Sequence, residues 1–490
     1  MDPLTWTGPL GQFLDPITAL VAALFAIAVL VQMALAFFGQ PAQLINNADG
    51  TISISRGHYG LSATVTKWIG LALLLVLLGY LVIGAFGGPG TAGIIGGMSQ
   101  QLLPVWIALV VTFAVSIAFK PRLGLYGKLF DSTVGMIGFG LVMFWVFAGI
   151  MAGLFDMIVT HDSLVQVSGM KNKAPGTPMR SAEEADYAWY LLGGDNLARD
   201  VFSRLFKGAW VVVQIAQLAT LFAFMVGITL GLPAGYYGGR LDTVLSFLAN
   251  LILAFPVILL FYLLVTPEIV ATGIPNYMAT VLFVFPLIFV AILLNSRYHT
   301  QPSIRTPLLA VVLGVMGWIY LSLITSNGSI VSTVDYSIPG LPTAVDLFEI
   351  DPAILVVFVS VVFVNAPTVF RIVRGLAMDI KTRDYVAAAS TRGEGPWYIM
   401  LWEILPNARG PLIVDFCLRI GYTTILLGTL GFFGLGLQSE SPDWGTTINS
   451  GRRLMAIYPH VAIAPALSLL TLVLGLNLLA DGLREESLKD

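Results

Sequence analysis

Charge is what this chain has least of. Only 11% of its 490 residues are Asp, Glu, Lys or Arg, against 57% hydrophobic; soluble domains carry roughly 25% charged residues. That deficit, with apolar runs of about 20 residues, excludes an ordinary soluble domain and places the chain in a bilayer. A net charge of −3 gives no electrostatic reason to expect a nucleic-acid partner. The single cysteine, Cys417, excludes an internal disulfide. Four histidines, His58, His161, His299 and His460, are scattered without metal-ligand spacing. Each reads as a surface or interfacial residue, and no bound metal or cofactor is expected. No G-x-x-x-x-G-K-S/T phosphate loop occurs, so if ATP drives this protein another polypeptide must hydrolyse it. No Ser-His-Asp or Cys-His constellation is legible either. The chain is not expected to be an enzyme in itself.

What is present in quantity is helix-length apolar sequence. Eleven segments pass as membrane spans: 17–38, 68–87, 102–119, 133–155, 208–232, 243–265, 278–294, 307–325, 353–371, 411–436 and 460–480. The expected fold is therefore all-α and polytopic. Gly and Pro are frequent inside these segments, which lipid-embedded helices tolerate better than soluble ones. The opening "MDPLTWTGPLGQFLDP" has no positive n-region, and the first apolar run reads as a retained helix rather than a cleaved signal peptide.

Lys and Arg set the expected orientation. With the N-terminus outside, the inside loops hold Arg56 and Lys67; Lys120, Arg122 and Lys128; Arg240; Arg297 and Arg305; and Arg371, Arg374, Lys381, Arg383, Arg392 and Arg409. The tail adds Arg484 and Lys489, which puts the C-terminus in the cytoplasm. The outside segments 89–101, 266–277 and 327–352 carry no Lys or Arg. Two outside segments break the trend: 156–207, which is long, and the one holding Arg452 and Arg453.

The outside segment 156–207 ends in "DNLARDVFSRLFKGAW". Asp195 reads as an N-cap. Leu197, Val201 and Leu205 repeat every four residues beside Phe202 and Phe206, with Arg199, Asp200 and Arg204 nearer the other face. The pattern fits an amphipathic helix at the membrane surface, or an ordinary helix packed on the bundle.

One polar stretch interrupts the later spans on the inside: "DYVAAASTRGEGPWYIMLWEILPN", Asp384 to Asn407. Thr382 reads as the cap of a helix over about 383–392, with Asp384 in its first turn at the positive end of the dipole. Gly393 can end that helix in the left-handed conformation. Pro396 suits the start of a second helix, with Trp397, Met400, Leu401 and Ile404 as its apolar face and Leu405-Pro406 as its stop. Ala387, Ala388 and Ala389 offer a face with no long side chains, open to close approach by another backbone. The alternative is a loop that packs only on its own bundle. Just beyond, Asp415 and Arg419 lie four apart in a span, a spacing that allows an intramembrane ion pair.

Here the residues resemble a known family. "YVAAASTRG" followed by "ILPN" looks like the cytoplasmic EAA loop of binding-protein-dependent ABC importer permeases, with Ala387, Ala388, Ala389, Gly393, Leu405 and Pro406 on its pattern. The family's Glu position is Ala387 here, and Asp384 is at most a weak substitute. "DNLARDVFSRLFKGA", "GLPAGYYGGRLD", "LAFP" at 253–256, "RIVRG" at 371–375 and "FFGLGLQSESPDWG" at 432–445 follow in the order used by the C-type subunit of dipeptide, oligopeptide and nickel importers. Together they cover about half the chain.

The resemblance implies a six-helix core at about 131–207 and 208–485. To it are added N-terminal helices in 1–130 and a two-span insertion at about 266–350, with the coupling loop at about 375–408. It implies a permease of the prokaryotic inner membrane that works with a second related permease, two ATPase subunits holding ATP and Mg, and an external substrate-binding protein. Di- or oligopeptides are the implied cargo, with nickel or a modified sugar as alternatives. Two other classes stay open beside it: an ion-coupled secondary transporter and a structural or assembly subunit.

Overall fold

The computed structural model describes residues 2–38, 43–46, 52–55, 57–179, 187–325, 352–435 and 440–487. Arg56, Lys489, residues 181–186, most of the 327–352 segment and residues 436–439 lie outside the described residues.

Helix dominates, as lipid requires when every backbone amide must find its partner within the segment. In chain order the helices are α1 (Gly11–Phe38), α2 (Gly57–Gln101), α3 (Leu103–Ala118), α4 (Gly124–Lys128), α5 (Thr133–Gly153), α6 (Val201–Val212) and α7 (Leu218–Tyr237). Then follow α8 (Gly239–Leu253), α9 (Val257–Val265), α10 (Pro267–Ala271), α11 (Ile274–Leu282), α12 (Val284–Arg297) and α13 (Pro302–Thr325). The last set is α14 (Pro352–Ile380), α15 (Asp384–Thr391), α16 (Pro396–Tyr398), α17 (Leu405–Asn407), α18 (Arg409–Phe433), α19 (Trp444–Arg452) and α20 (His460–Ser487). The strands among the described residues are two short antiparallel pairs, Gln43–Asn46 with Ile52–Ser55 and Thr177–Pro178 with Trp189–Tyr190.

Among the described residues nine helical runs are long and apolar enough to cross a membrane, and the α8–α9 pair makes a tenth. Helix α3 is apolar but only 16 residues long. These pieces occupy the places of the eleven expected segments, with two corrections. The expected straight span 243–265 is two helices bent by 81°. Pro256 lacks an N–H and disfavours helical backbone at Phe255, so the ladder ends at Leu253 and restarts at Val257. The expected span 68–87 continues to Gln101 across a break at Gly88, Ala92 and Gly93, around Pro89.

The chain forms two compact units: Met1–Trp106 with Met157–Ser203, and Ile107–Asp156 with Arg204–Asp490. The boundaries read from sequence, at 130 and 207, differ from these because backbone hydrogen bonds stitch the first residues into the external segment. Leu4 N donates to Gly176 O (2.9 Å), Ile94 N to Thr5 O (3.0 Å) and Ile95 N to Trp6 O (3.1 Å). Trp189 Nε1 donates to Asp2 O at 3.2 Å. Gly93, at φ +58°, lies so close that a Cβ there would overlap Thr5 O and sit 2.6 Å from Gly8 N. Gly93→Val is therefore expected to expel residues 2–10 from this unit, read as rapid trimming of the N-terminus in limited proteolysis; an unchanged digestion pattern would refute the stitching.

In the second unit α7 packs along α14 through Gly227, Gly231 and Gly235, four residues apart. A Cβ at Gly227 would lie 2.5 Å from Val369 Cγ1, and one at Gly235 2.6 Å from Arg374 O. Small residues at this spacing let membrane helices approach closely, where lipid supplies no hydrophobic drive between them. Arg374 then pairs with Asp242 of α8, its NH2 2.6 Å from Oδ2. Lys381 Nζ donates to Gly235 O at 2.7 Å.

Candidate functional site

Helix α14 runs nine residues past its expected end at 371, to Ile380, and delivers the chain to α15. The expected Thr382 cap is not formed. Its hydroxyl donates back to Asp379 O at 2.8 Å, and Arg383 takes the N-cap position without a side-chain bond. Asp384 still opens the helix. At the other end Gly393 has φ +82°. Gly393 N donates to Ser390 O (3.0 Å) and Glu394 N to Ala389 O (3.3 Å). These two bonds are a Schellman turn, which satisfies the last carbonyls of the helix.

The helix has two unlike sides. Val386 and Ala389 are buried in a cluster with Val373, Ala377 and Ile380 of α14 and with Ile399, Met400 and Ile404. Asp384, Ala387, Ala388, Thr391 and Arg392 are exposed. The loop thus packs on its own bundle through one alanine and offers the other two outward. Arg392 NH2 meets Glu403 Oε1 at 2.8 Å and clips the two arms of the hairpin together.

Pro406 does not stop the second helix. Residues Ile399–Ile404 form a π-helical stretch, α17 follows from Leu405, and α18 starts at Arg409. The wider turn absorbs the missing proline N–H, a local adjustment known to keep membrane helices going. Leu405 is half-buried and Pro406 exposed.

The inserted helices reach this hairpin. Trp402 Nε1 donates to Ser296 Oγ of α12 at 3.0 Å, and the Arg297 guanidinium lies 4.9 Å from the Trp402 ring centroid. Sequence alone gave no sign of this brace, because the partners are 106 residues apart.

Asp415 and Arg419 are joined along α18, with Nε–Oδ2 2.7 Å and NH2–Oδ1 3.2 Å. The pair has its own bidentate geometry; Asp415 keeps 17% side-chain exposure, whereas Arg419 is buried.

The external residues require a correction. Arg199 and Asp200 precede α6, which starts at Val201, and with Arg204 they are buried rather than on a wet helix face. Asp195 accepts from Leu197 N (2.8 Å), Arg199 N (2.9 Å) and Arg199 Nε (2.7 Å), which holds the chain in a turn where a helical start was expected. Asp200 Oδ2 accepts from Ser203 N (3.1 Å), Ser203 Oγ (2.6 Å) and Thr160 Oγ1 (2.7 Å), with His161 Nδ1 at 3.3 Å. His161 Nε2 faces Tyr187 O at 2.9 Å. The serine hydroxyl bonds the carboxylate and not the imidazole, so this is a clamp without a nucleophile–base contact. Sequence analysis does not single out Thr160 or Ser203, and it reads His161 as a surface or interfacial residue; Thr160 and His161 lie 40 and 39 residues from Asp200. Burial, and after it the Asp200 charge, pushes the Tyr187 phenol up to about 12.

Arg204 takes a second role within the other unit. Its NH2 donates to Ser441 O (2.8 Å) and its NH1 to Glu440 O (3.2 Å). Trp444 Nε1 donates to Leu205 O at 2.8 Å. Asp443 caps α19 by accepting from Thr446 N at 3.0 Å. Burial raises its carboxyl above the ordinary value, against hydrogen bonds from Thr446 and the Arg204 charge, which lower it. An acid with a raised folded-state pKa stabilises the fold fully below its unfolded value and loses that contribution as pH rises through the folded value. Asp443→Asn, which keeps the cap, is therefore expected to be the more stable protein above pH about 4 and to lose its advantage below. The difference in unfolding midpoint between the two proteins, followed against pH, checks this; a pH-independent difference would refute it.

Residues 227–485 match the model of the family described as binding-protein-dependent transport system inner membrane component. The chain is 29% identical over 296 residues to the glutathione transport system permease protein GsiD of Pectobacterium atrosepticum, covering 60% of this chain and 71% of that one. It is 27% identical over 346 residues to the dipeptide transport system permease protein DppC of Alkalihalophilus pseudofirmus, covering 71% and 83%. With DppC of Haemophilus influenzae the identity is 28% over 296 residues, covering 60% and 72%.

Proposed function

The chain belongs to the family of binding-protein-dependent transport system inner membrane components, and from that membership we propose that it is the permease subunit of an ATP-driven importer of di- or oligopeptides. The names of its relatives, which are dipeptide and glutathione permeases, support this cargo class. An external binding protein delivers the solute. Two ATPase subunits, holding ATP and Mg, close on the cytoplasmic side, and a second related permease completes the pore.

The observation that carries the reading is the two-sided α15. Its outward Ala387 and Ala388 can enter a cleft on an ATPase, while Val386 and Ala389 fix it to α14 and the π-helical stretch, which continues into α18. Movement of the docked helix is thereby carried into two spans. ATP does work only if it binds one state better than the other, and α15 transmits that difference. The Lys and Arg bias supports a cytoplasmic C-terminus. The hydrogen bonds from residues 4–6 to 94–95 and 176 support an N-terminus on the same side as segment 157–200.

Co-purification from the native membrane, with partners identified by mass, tests the proposal. An ATPase and a second permease are expected in the complex. Uptake that survives loss of the ATPase but collapses with the ion gradient would establish an ion-coupled carrier instead.

A further inference from the structure

The spans expose two kinds of face. Helix α3 presents Ile107, Val110, Val111 and Val115 outward, all aliphatic and all more than half exposed. That is a surface suited to lipid. Helix α18 is different. Tyr422 is 66% exposed near the middle of the 25-residue helix, and Ile425 and Phe433 share its stripe at 43% and 62%. Thr429 stands between them, with its hydroxyl bonded to Ile425 O. One and two turns toward Arg409 on the same edge lie Arg419, which is buried, and Asp415, which is partly accessible; the two are paired with each other. Among the described residues the Tyr422 hydroxyl has no hydrogen-bond partner. A tyrosine hydroxyl facing hydrocarbon would be left without a water or protein partner, and charged groups inside spans face cavities and mark solute pathways.

We propose that this stripe of α18 lines the aqueous translocation path, with Tyr422 at mid-membrane and the Asp415–Arg419 pair below it as the contact for a zwitterionic cargo. The inference rests on the permease reading and assigns its path. The pair suits a peptide's charge pattern: an ammonium can be met by Asp415 and a carboxylate by the Arg419 fork, which is matched to planar carboxylates. Between cargoes the two side chains neutralise each other, so neither is left alone in a low-dielectric site. Leu412 and Phe416 line a mostly apolar crevice of about 340 Å³ with Phe224, Ile228, Phe289 and Arg409.

The test is thiol labelling of the assembled transporter in lipid nanodiscs with a charged, water-soluble methanethiosulfonate. Tyr422→Cys, Ile425→Cys and Thr429→Cys are compared with Val110→Cys and Val111→Cys. Unsubstituted protein, whose Cys417 is buried, gives the background. Thiolate is the reacting form and each pKa unit is worth about tenfold, so a wetted thiol should react at least about tenfold faster than one in hydrocarbon. The three α18 positions are expected to label that much faster than the α3 positions. They should be protected when the loaded binding protein and ATP drive alanyl-alanine through. Equal rates on α3 and α18 would mean that the stripe faces lipid and overturn the assignment. Unreactive α18 thiols that cross-link instead to the second permease would mean a packed interface and overturn it too. The ATPase and second permease are assayed in the same preparation. A complete complex with unreactive thiols sinks only the path, whereas a missing complex sinks the permease reading itself.

Discussion

Gly393→Val is expected to cut ATP-driven uptake by at least about tenfold while the transporter still hydrolyses ATP and the binding protein still captures solute. The reason lies in the backbone. Gly393 sits at φ +82°, and no atom lies within 4 Å of where its Cβ would be. A side chain therefore meets no clash, and the whole penalty is conformational. Left-handed backbone at a β-branched residue costs on the order of 1–3 kcal/mol. The Schellman bonds to Ser390 O and Ala389 O are what that strain would break first. Coupling energies between distant sites are also about 1–3 kcal/mol, equivalent to about 5–150-fold. A strain of the same size at the joint between α15 and its second arm can therefore erase transmission without unfolding the bundle. The buried contacts of Val386 and Ala389 hold α15 in place throughout. Gly393→Asn, which tolerates this conformation, should keep most of the uptake. Reconstituted vesicles give uptake and ATPase rate side by side; normal uptake by the valine variant would remove the turn from the mechanism.

How much of this was legible in the sequence depends on the range of the forces involved. Helix α15 is legible almost to the residue, because the dipole and a C-terminal glycine act within one turn, although the Thr382 cap expected for it is not formed. The spans were legible because hydrocarbon rewards every apolar side chain alike. Prolines were read less well. Pro256 breaks a span that the sequence presents as continuous, whereas Pro406 reads as a stop and is bridged. The propensity is the same at both; what differs is whether the neighbouring helices support a π-helical turn, as α14 and α12 do around Trp402. The external residues were misplaced for a related reason. Leu197, Val201 and Leu205 keep helical spacing, but the Asp195 carboxylate captures three N–H groups and turns the chain before a helix can start. Periodicity cannot register a carboxylate's tertiary partners, nor the Asp200–His161 contact across 39 residues. The path-lining side of α18 was likewise invisible. A span's polar residues can be counted in the sequence, but which of them face outward is set by the helices packed against the rest.

Arg204→Leu is expected to be the most damaging single change outside the coupling hairpin, costing about 3–5 kcal/mol. The guanidinium is 1% exposed, and its donors hold Glu440 O and Ser441 O just ahead of the α19 cap. Leucine fills much of the volume but leaves Glu440 O without its donor, Ser441 O with Thr446 Oγ1 alone, and Asp443 buried without the charge that offsets its desolvation. That second loss is separable. Adding Asp443→Asn removes the stranded carboxyl while keeping a cap for Thr446 N, so the double variant should recover part of the stability lost in the single one. Arg204→Lys should fall between wild type and leucine, because a compact ammonium keeps the charge but lacks the planar fork that meets the two carbonyls from separate nitrogens. Trp444, buried and hydrogen-bonded to Leu205 O beside this site, makes tryptophan fluorescence a direct readout of thermal unfolding in detergent. If the double variant melts no higher than Arg204→Leu alone, the carboxyl is not what suffers, and the carbonyl clamp carries the whole effect. If Arg204→Leu melts with the wild type, neither contact holds this end of α19 in place.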